Sequence, residues 1–184
     1  MNNRFFHILG TPRSGTAFLA WMFNLVHEGY CTHDLAADYY DWSNAHRELA
    51  RRYRYVGASS TYVNGLGGIA PDAVVYVERR PEDFVPATAE ALGLDLAAVA
   101  KEAPVWLEHN RRYASKYEAL EVPFDELFKL DTLRAIWSHA LGPSVQFPAD
   151  KVGYMIDFNI QRNNPAEAFT ISKERRTWAL LPQV

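Results

Sequence analysis

Six residues near the amino terminus, Thr11-Pro12-Arg13-Ser14-Gly15-Thr16, constrain this chain more than any others, because they separate a strand-like run from a segment of helical periodicity. Arg4 to Gly10 reads as a short β-strand, and Phe18, Met22, Leu25 and Val26 recur at the spacing of one helix face. A strand entering a helix through a tight glycine-bearing turn aims backbone amides at one point, a cradle for an oxyanion. Gly10 and Gly15 have the spacing of a nucleoside-triphosphate loop, but Thr16-Ala17 stands where Lys-Ser/Thr is required. Without that lysine and the hydroxyl for magnesium, triphosphate hydrolysis is disfavoured. What remains is one cation, Arg13, and two hydroxyls, Ser14 and Thr16, suited to one or two oxyanions without a metal. The competing reading is a β-to-α turn that binds nothing.

Beyond the loop, strands alternate with helices. Tyr53 to Ser59 and Asp72 to Arg79 read as strands, and Ala73-Val74-Val75-Tyr76-Val77 has the near-continuous apolar character of a parallel strand covered on both faces. A helical pattern lies between Asp34 and Tyr53. Pro81 opens a helix that Gly93 closes, with Glu82 and Asp83 at its positive end. Two helical stretches are expected before and after Pro104, then an edge strand at Glu121-Val122-Pro123-Phe124, then a helix capped by Asp131 and stopped by Gly142-Pro143. The fold class expected is a three-layer, P-loop-like α/β domain with a central, mainly parallel sheet flanked by helices. Residues 1–184 are expected to form one domain, with 143–184 a helical or irregular C-terminal extension.

With 184 residues, 48% of them hydrophobic, the chain can bury a core of its own. A net charge of -3 speaks against a broad polyanion-binding surface, and Arg51-Arg52-Tyr53-Arg54 and Arg111-Arg112-Tyr113 read as solvated helix faces or ends, so no nucleic-acid partner is expected. One cysteine, Cys31, cannot form an internal disulfide, and the amino-terminal apolar run is broken by His7, so a cytoplasmic protein without a membrane partner is expected. The His residues lack metal-ligand spacing, and no metal is expected.

Leu9-Gly10-Thr11-Pro12-Arg13-Ser14-Gly15-Thr16-Ala17-Phe18-Leu19 resembles the 5′-phosphosulfate loop of the sulfotransferases that use 3′-phosphoadenosine-5′-phosphosulfate, usually Pro-Lys/Arg-Ser-Gly-Thr-Thr-x-Leu. Val75-Tyr76-Val77-Glu78-Arg79-Arg80-Pro81 resembles a second landmark of that family, a strand ending in Arg-x-Pro. More loosely, Tyr55-Val56-Gly57-Ala58-Ser59-Ser60-Thr61 resembles a Val-Gly-Asp-Ser-Ser stretch of short bacterial and phage-type members, and Phe124-Asp125-Glu126-Leu127-Phe128 resembles a late Tyr-Glu-Asp-Leu segment. The resemblance runs from about Arg4 to Gly142.

It implies that Pro12, Arg13, Ser14, Gly15, Thr16, Ala17 and Phe18 surround the donor's 5′ side, Phe18 against the adenine. It implies that Arg79 binds the 3′-phosphate. The family's serine eight positions on is Ala87 here, with Thr88 the substitute, and Arg175 and Arg176 resemble a basic segment that closes over the same phosphate. The alternative reading of Arg79 is a strand-end cation in a surface ion pair. The implied reaction transfers a sulfuryl group to a hydroxyl or amine of a small-molecule, glycan or peptide acceptor and leaves 3′,5′-adenosine bisphosphate. Arg13 would stabilise the departing phosphate. His33, in Cys31-Thr32-His33-Asp34, is the first candidate for the base and Asp34 the second. Ala17, Ala58 and Ala87 remove polar groups the family uses, so an inactive nucleotide-binding or accessory protein of the same fold is the alternative.

Overall fold

The apolar run Ala73 to Val77 becomes β4 (Ala73–Glu78), whose alternating side chains fill both sides of a sheet: Val75 and Val77 enter one helical layer and Tyr76 the other. The computed structural model describes residues 3–33, 42–61, 66 and 69–157. In it β4 is one of five parallel strands with β1 (Arg4–Gly10), β2 (Gly29–His33), β3 (Tyr55–Ser60) and β5 (Leu120–Pro123), in the order β2-β3-β1-β4-β5. On one face lie α1 (Thr16–Phe23) and α5 (Leu130–Leu141), with α6 (Ala149–Asp157) against α5. On the other lie α2 (Trp42–Ala50) and α4 (Leu96–Lys116), with α3 (Pro81–Leu92) packed on α4. This is the three-layer α/β arrangement expected from the sequence.

β1 is the middle strand, with Phe6 opposite Gly57 on one side and Ala73 on the other. The chain leaves β1 for β2 on one side, returns to β3, and crosses to β4 on the other. Around such a switch point the carboxyl ends of the strands leave a crevice, the usual ligand position in open parallel sheets. The opposite end is closed by Arg4, whose Nε and Nη2 donate to the carbonyls of Ala140 (2.7 Å) and His139 (2.9 Å) and so satisfy the last turn of α5.

Four local expectations change. β2 was not foreseen: Asn24 ends α1 at Phe23 and clamps the next strand, donating to Cys31 O and accepting from Cys31 N at 2.8 Å each. The periodic Leu25 and Val26 therefore lie beyond α1, still packed on the core. Pro104 does not divide α4, because Pro104 and Ala100, whose carbonyl loses its partner there, both face solvent while Val99, Ala103 and Leu107 keep one buried stripe. Asp131 sits in the first turn of α5 and Lys129 takes the cap position.

Among the basic clusters, Arg51, Arg111 and Arg112 are paired with Glu48, Glu78 and Glu108. Among the described residues, no helix is long and apolar enough to cross a membrane.

The layer behind β1 holds two buried histidines. His7 is 2% exposed, with Nδ1 2.6 Å from the Tyr113 hydroxyl, and burial together with nearby His46 pulls its pKa down to about 3. Burial lowers that of His46 as well. The folded chain thus keeps both neutral where the unfolded chain protonates, so stability present above pH 6.5 is lost as pH falls below it. Urea unfolding at pH 7.5 and 5.5 should show a loss of about 1.4 kcal/mol from His7 at the lower pH, a share that His7→Gln removes.

Candidate functional site

The loop after β1 is shaped by close approach. A Cβ on Gly10 would lie 2.2 Å from Ser14 Oγ. Both donors of Ser14 go to one acceptor: its amide (3.2 Å) and its hydroxyl (2.5 Å) donate to Thr11 O. The backbone then takes φ 63° at Arg13 and 81° at Gly15, with Ser14 of ordinary sign between them. This alternation makes a concave row of amides. Gly15 is the N-cap of α1 and supplies no side-chain cap; the first helical bond runs from Leu19 N to Gly15 O (3.1 Å). The amides of Gly15, Thr16, Ala17 and Phe18 precede it and have no backbone acceptor among the described residues. They converge at the positive end of a helix, where an anion is favoured.

Three elements hold this loop from outside. Ser59, at the end of β3, donates Oγ to Thr16 O at 2.9 Å. Asn110 of α4, 1% exposed, donates Nδ2 to Gly10 O at 3.2 Å. Arg79, just beyond β4, donates Nη1 to Arg13 O at 2.7 Å, while its guanidinium carbon lies 4.5 Å from the centre of the Phe124 ring. Its Nε is buried and has no hydrogen-bond partner. Burial lowers the Arg79 pKa, opposed by Asp83, but a guanidinium remains cationic at neutral pH. Arg80 differs: it bonds Asp83 at 2.8 Å and lies 3.7 Å from Glu82. Between the ends of β4 and β5 opens a cavity of about 310 Å³, with Arg79, Asp83, Phe124 and Asp125 among its lining.

His33 ends β2, half-buried, with Nε2 3.2 Å from Thr16 Oγ1 on the first turn of α1. The fold thus brings together Arg13, Gly15, Thr16, Ala17, His33 and Arg79. Pro12 is buried in the turn and Arg13 exposed, its guanidinium without an ion-pair partner among the described residues. Phe18 is 2% exposed in the main core, edge-on to Phe128 at 5.2 Å, so its ring faces other side chains instead of an open adenine subsite. Thr88 is 1% exposed and donates its hydroxyl to Phe84 O at 2.7 Å, one turn back in α3, instead of lining the cavity by Arg79. Asp34, Arg175 and Arg176 lie outside the described residues.

Sequence reasoning passed over Asn110 and the packing of Phe124. The first left a signal: an asparagine interrupting the α4 stripe Ala103, Leu107, Ala114 is a buried polar group in need of a partner. The second left none, since the Arg79 to Phe124 stack exists only once β5 lies beside β4. Among the described residues, no group of three or more His, Cys, Asp or Glu could hold a metal ion.

No protein-family model matches the chain, and no curated protein matches it in sequence. Among solved structures its fold is similar to that of a mouse sulfotransferase, SULT7A1, in a crystal structure complexed with PAP. The TM-score is 0.64 at 16% identity, over 89% of this chain and 68% of that one. At that identity the likeness establishes the shared α/β fold.

Two glycine exchanges should have opposite outcomes in urea denaturation. Gly15→Ala places a Cβ at positive φ and 2.5 Å from Leu127 Cδ2, and should cost about 1 to 3 kcal/mol. Arg13→Gly relieves a left-handed non-glycine residue and should leave stability unchanged or raised by up to about 1 kcal/mol.

Proposed function

We propose that the chain is a sulfotransferase that moves a sulfuryl group from 3′-phosphoadenosine-5′-phosphosulfate to a hydroxyl or amine acceptor. The observation that carries this reading is the bond between Arg79 and the Arg13 carbonyl, which sets two cations beside one row of open amides with no lysine after Gly15. The likeness of the fold to a sulfotransferase complexed with PAP supports it. The loop resemblance extends it toward the short bacterial and phage-type members through Val56-Gly57-Ala58-Ser59-Ser60.

The residues present fit such a donor. Four amides without backbone acceptors and the exposed Arg13 suit its 5′ side, and the Arg79 guanidinium, which lines the cavity between β4 and β5, suits a second anion, the 3′-phosphate. When bound, the donor supplies an activated sulfuryl group whose loss leaves charge on the 5′-phosphate. Arg13 and the amides of Gly15 to Ala17 stabilise that charge, each donor worth roughly 10² to 10³ in rate. His33 Nε2, held at 3.2 Å by the Thr16 hydroxyl in the free chain, exchanges that contact for the acceptor's hydroxyl and takes its proton, a role worth roughly 10² to 10⁴. Asp34 is the second candidate for that base, and Arg175 and Arg176 add cations for the 3′-phosphate. The acceptor is a small molecule, a glycan or a peptide.

The alternative, a nucleotide-binding protein of this fold without turnover, is favoured by one finding: the Thr88 hydroxyl that would replace the side chain missing at Ala87 is bonded inside its own helix. Binding and turnover separate the two. In thermal unfolding, 3′,5′-adenosine bisphosphate at about 100 times its dissociation constant should add about 2.7 kcal/mol, some 5 to 10 °C, and should exceed 5′-AMP. Stabilisation by ATP with magnesium alone would overturn the reading. Bisphosphate release from the sulfated donor, followed across phenols, alcohols and amines, should fall at least about 10²-fold in His33→Ala. Binding with no release in any acceptor class would establish the inactive alternative.

A further inference from the structure

Arg79 makes a contact that recognition of a 3′-phosphate does not require. Its Nη1 is 2.7 Å from the carbonyl oxygen of Arg13, a backbone atom of the opposite lobe of the site. The same peptide donates its N–H, that of Ser14, to Thr11 O at 3.2 Å. Carbonyl and amide of a trans peptide point in opposite directions, so these two bonds fix the plane of the Arg13 to Ser14 peptide from both sides. That peptide joins a residue at φ 63° to the turn that starts α1, and its orientation sets where the amides from Gly15 onward point.

The geometry of the guanidinium permits a double role. Arginine carries five N–H donors in a rigid fork. Nη1 is directed at the loop and the ring of Phe124 supports the flat face at 4.5 Å, while Nε has no partner. Nη1 is therefore engaged with the loop in the free protein, while the residue also lines the cavity between β4 and β5. Arg80, next in sequence, is directed away by Asp83 and Glu82.

We propose that Arg79 is a positioning residue for the oxyanion loop: by holding the Arg13 carbonyl it maintains the left-handed turn that aims the amides of Gly15 to Phe18, independently of any phosphate it binds. This builds on the sulfotransferase reading for the identity of the ligand, but the positioning itself is a property of the free protein.

The test compares the full chain with Arg79→Gln and, as a milder variant that keeps the charge but removes the stacking surface, Phe124→Leu. Amide hydrogen exchange in the absence of nucleotide should accelerate at Ser14 on the order of tenfold in Arg79→Gln, and less in Phe124→Leu, with the β4 amides unchanged. Unchanged exchange at Ser14 in both variants overturns the proposal, whether or not the protein binds nucleotide. With 5′-AMP as probe, which has no 3′-phosphate, Arg79→Gln should lose affinity on the order of tenfold. A loss confined to 3′,5′-adenosine bisphosphate would reduce Arg79 to a phosphate reader and overturn the proposal. Failure of the wild-type chain to bind either nucleotide, with exchange at Ser14 accelerated in Arg79→Gln, would sink the sulfotransferase reading and leave the positioning role supported.

Discussion

The turn from β1 into α1 must reverse the chain within five residues while leaving amides open at the helix start, and the rest of the site depends on how that turn is held. A bare turn of this kind is costly, since Arg13 occupies a left-handed conformation at φ 63° that a residue with a Cβ adopts at a penalty of roughly 1 to 2 kcal/mol. The penalty is offset from outside the loop: Ser59 from β3, Asn110 from α4 and Arg79 from beyond β4 each donate to a different loop carbonyl. All three carbonyls are thus satisfied by side chains of neighbouring elements. The amides of Gly15 to Phe18 have no backbone acceptor among the described residues, and this row of donors persists without a ligand to order it.

Much of this was legible because some segments depend only on themselves. The apolar run of β4 and the proline and glycine that bound α3 carry their own signals, and the structure follows them. β2 carries no such signal. Gly29-Tyr30-Cys31-Thr32-His33 becomes a strand because Asn24 holds Cys31 by both backbone groups and because β3 offers a parallel edge, pairing Gly29 with Tyr55 and His33 with Ser59. Likewise Pro104 reads as a breaker to any local rule, and α4 passes through it because the unpaired carbonyl faces water.

The site divides in the same way. The loop could be read from spacing, since a strand end and a helix start are local facts, whereas Arg79 was singled out by the family resemblance. The direction of a side chain is not local. Thr88 and Phe18 stand near the right place in the sequence, yet one bonds its own helix and the other fills the layer between α1 and the segment before α5. The aromatic residue that does meet a site cation is Phe124, brought beside Arg79 by the register of β5 on β4, where Glu78 opposes Pro123.

Adjacent cations, Arg79 and Arg80, meet different neighbours at the end of β4. Arg79 and Arg80 have the same chemistry, and the chain as a whole carries net charge -3, so neither total charge nor residue type distinguishes them. Their partners do. Arg80 is satisfied by Asp83 and Glu82 on the first turn of α3, where those acids are favoured by the helix N-terminus whatever the ligand. Taking Arg80 for a phosphate would break that arrangement. Arg79 instead meets a carbonyl, which carries no net charge, and an aromatic face, which orients the guanidinium while leaving its charge in place. The Arg79 guanidinium is thus fixed by a backbone carbonyl and a phenyl ring, with Asp83 and Asp125 near enough to act on its charge without a hydrogen bond among the described residues.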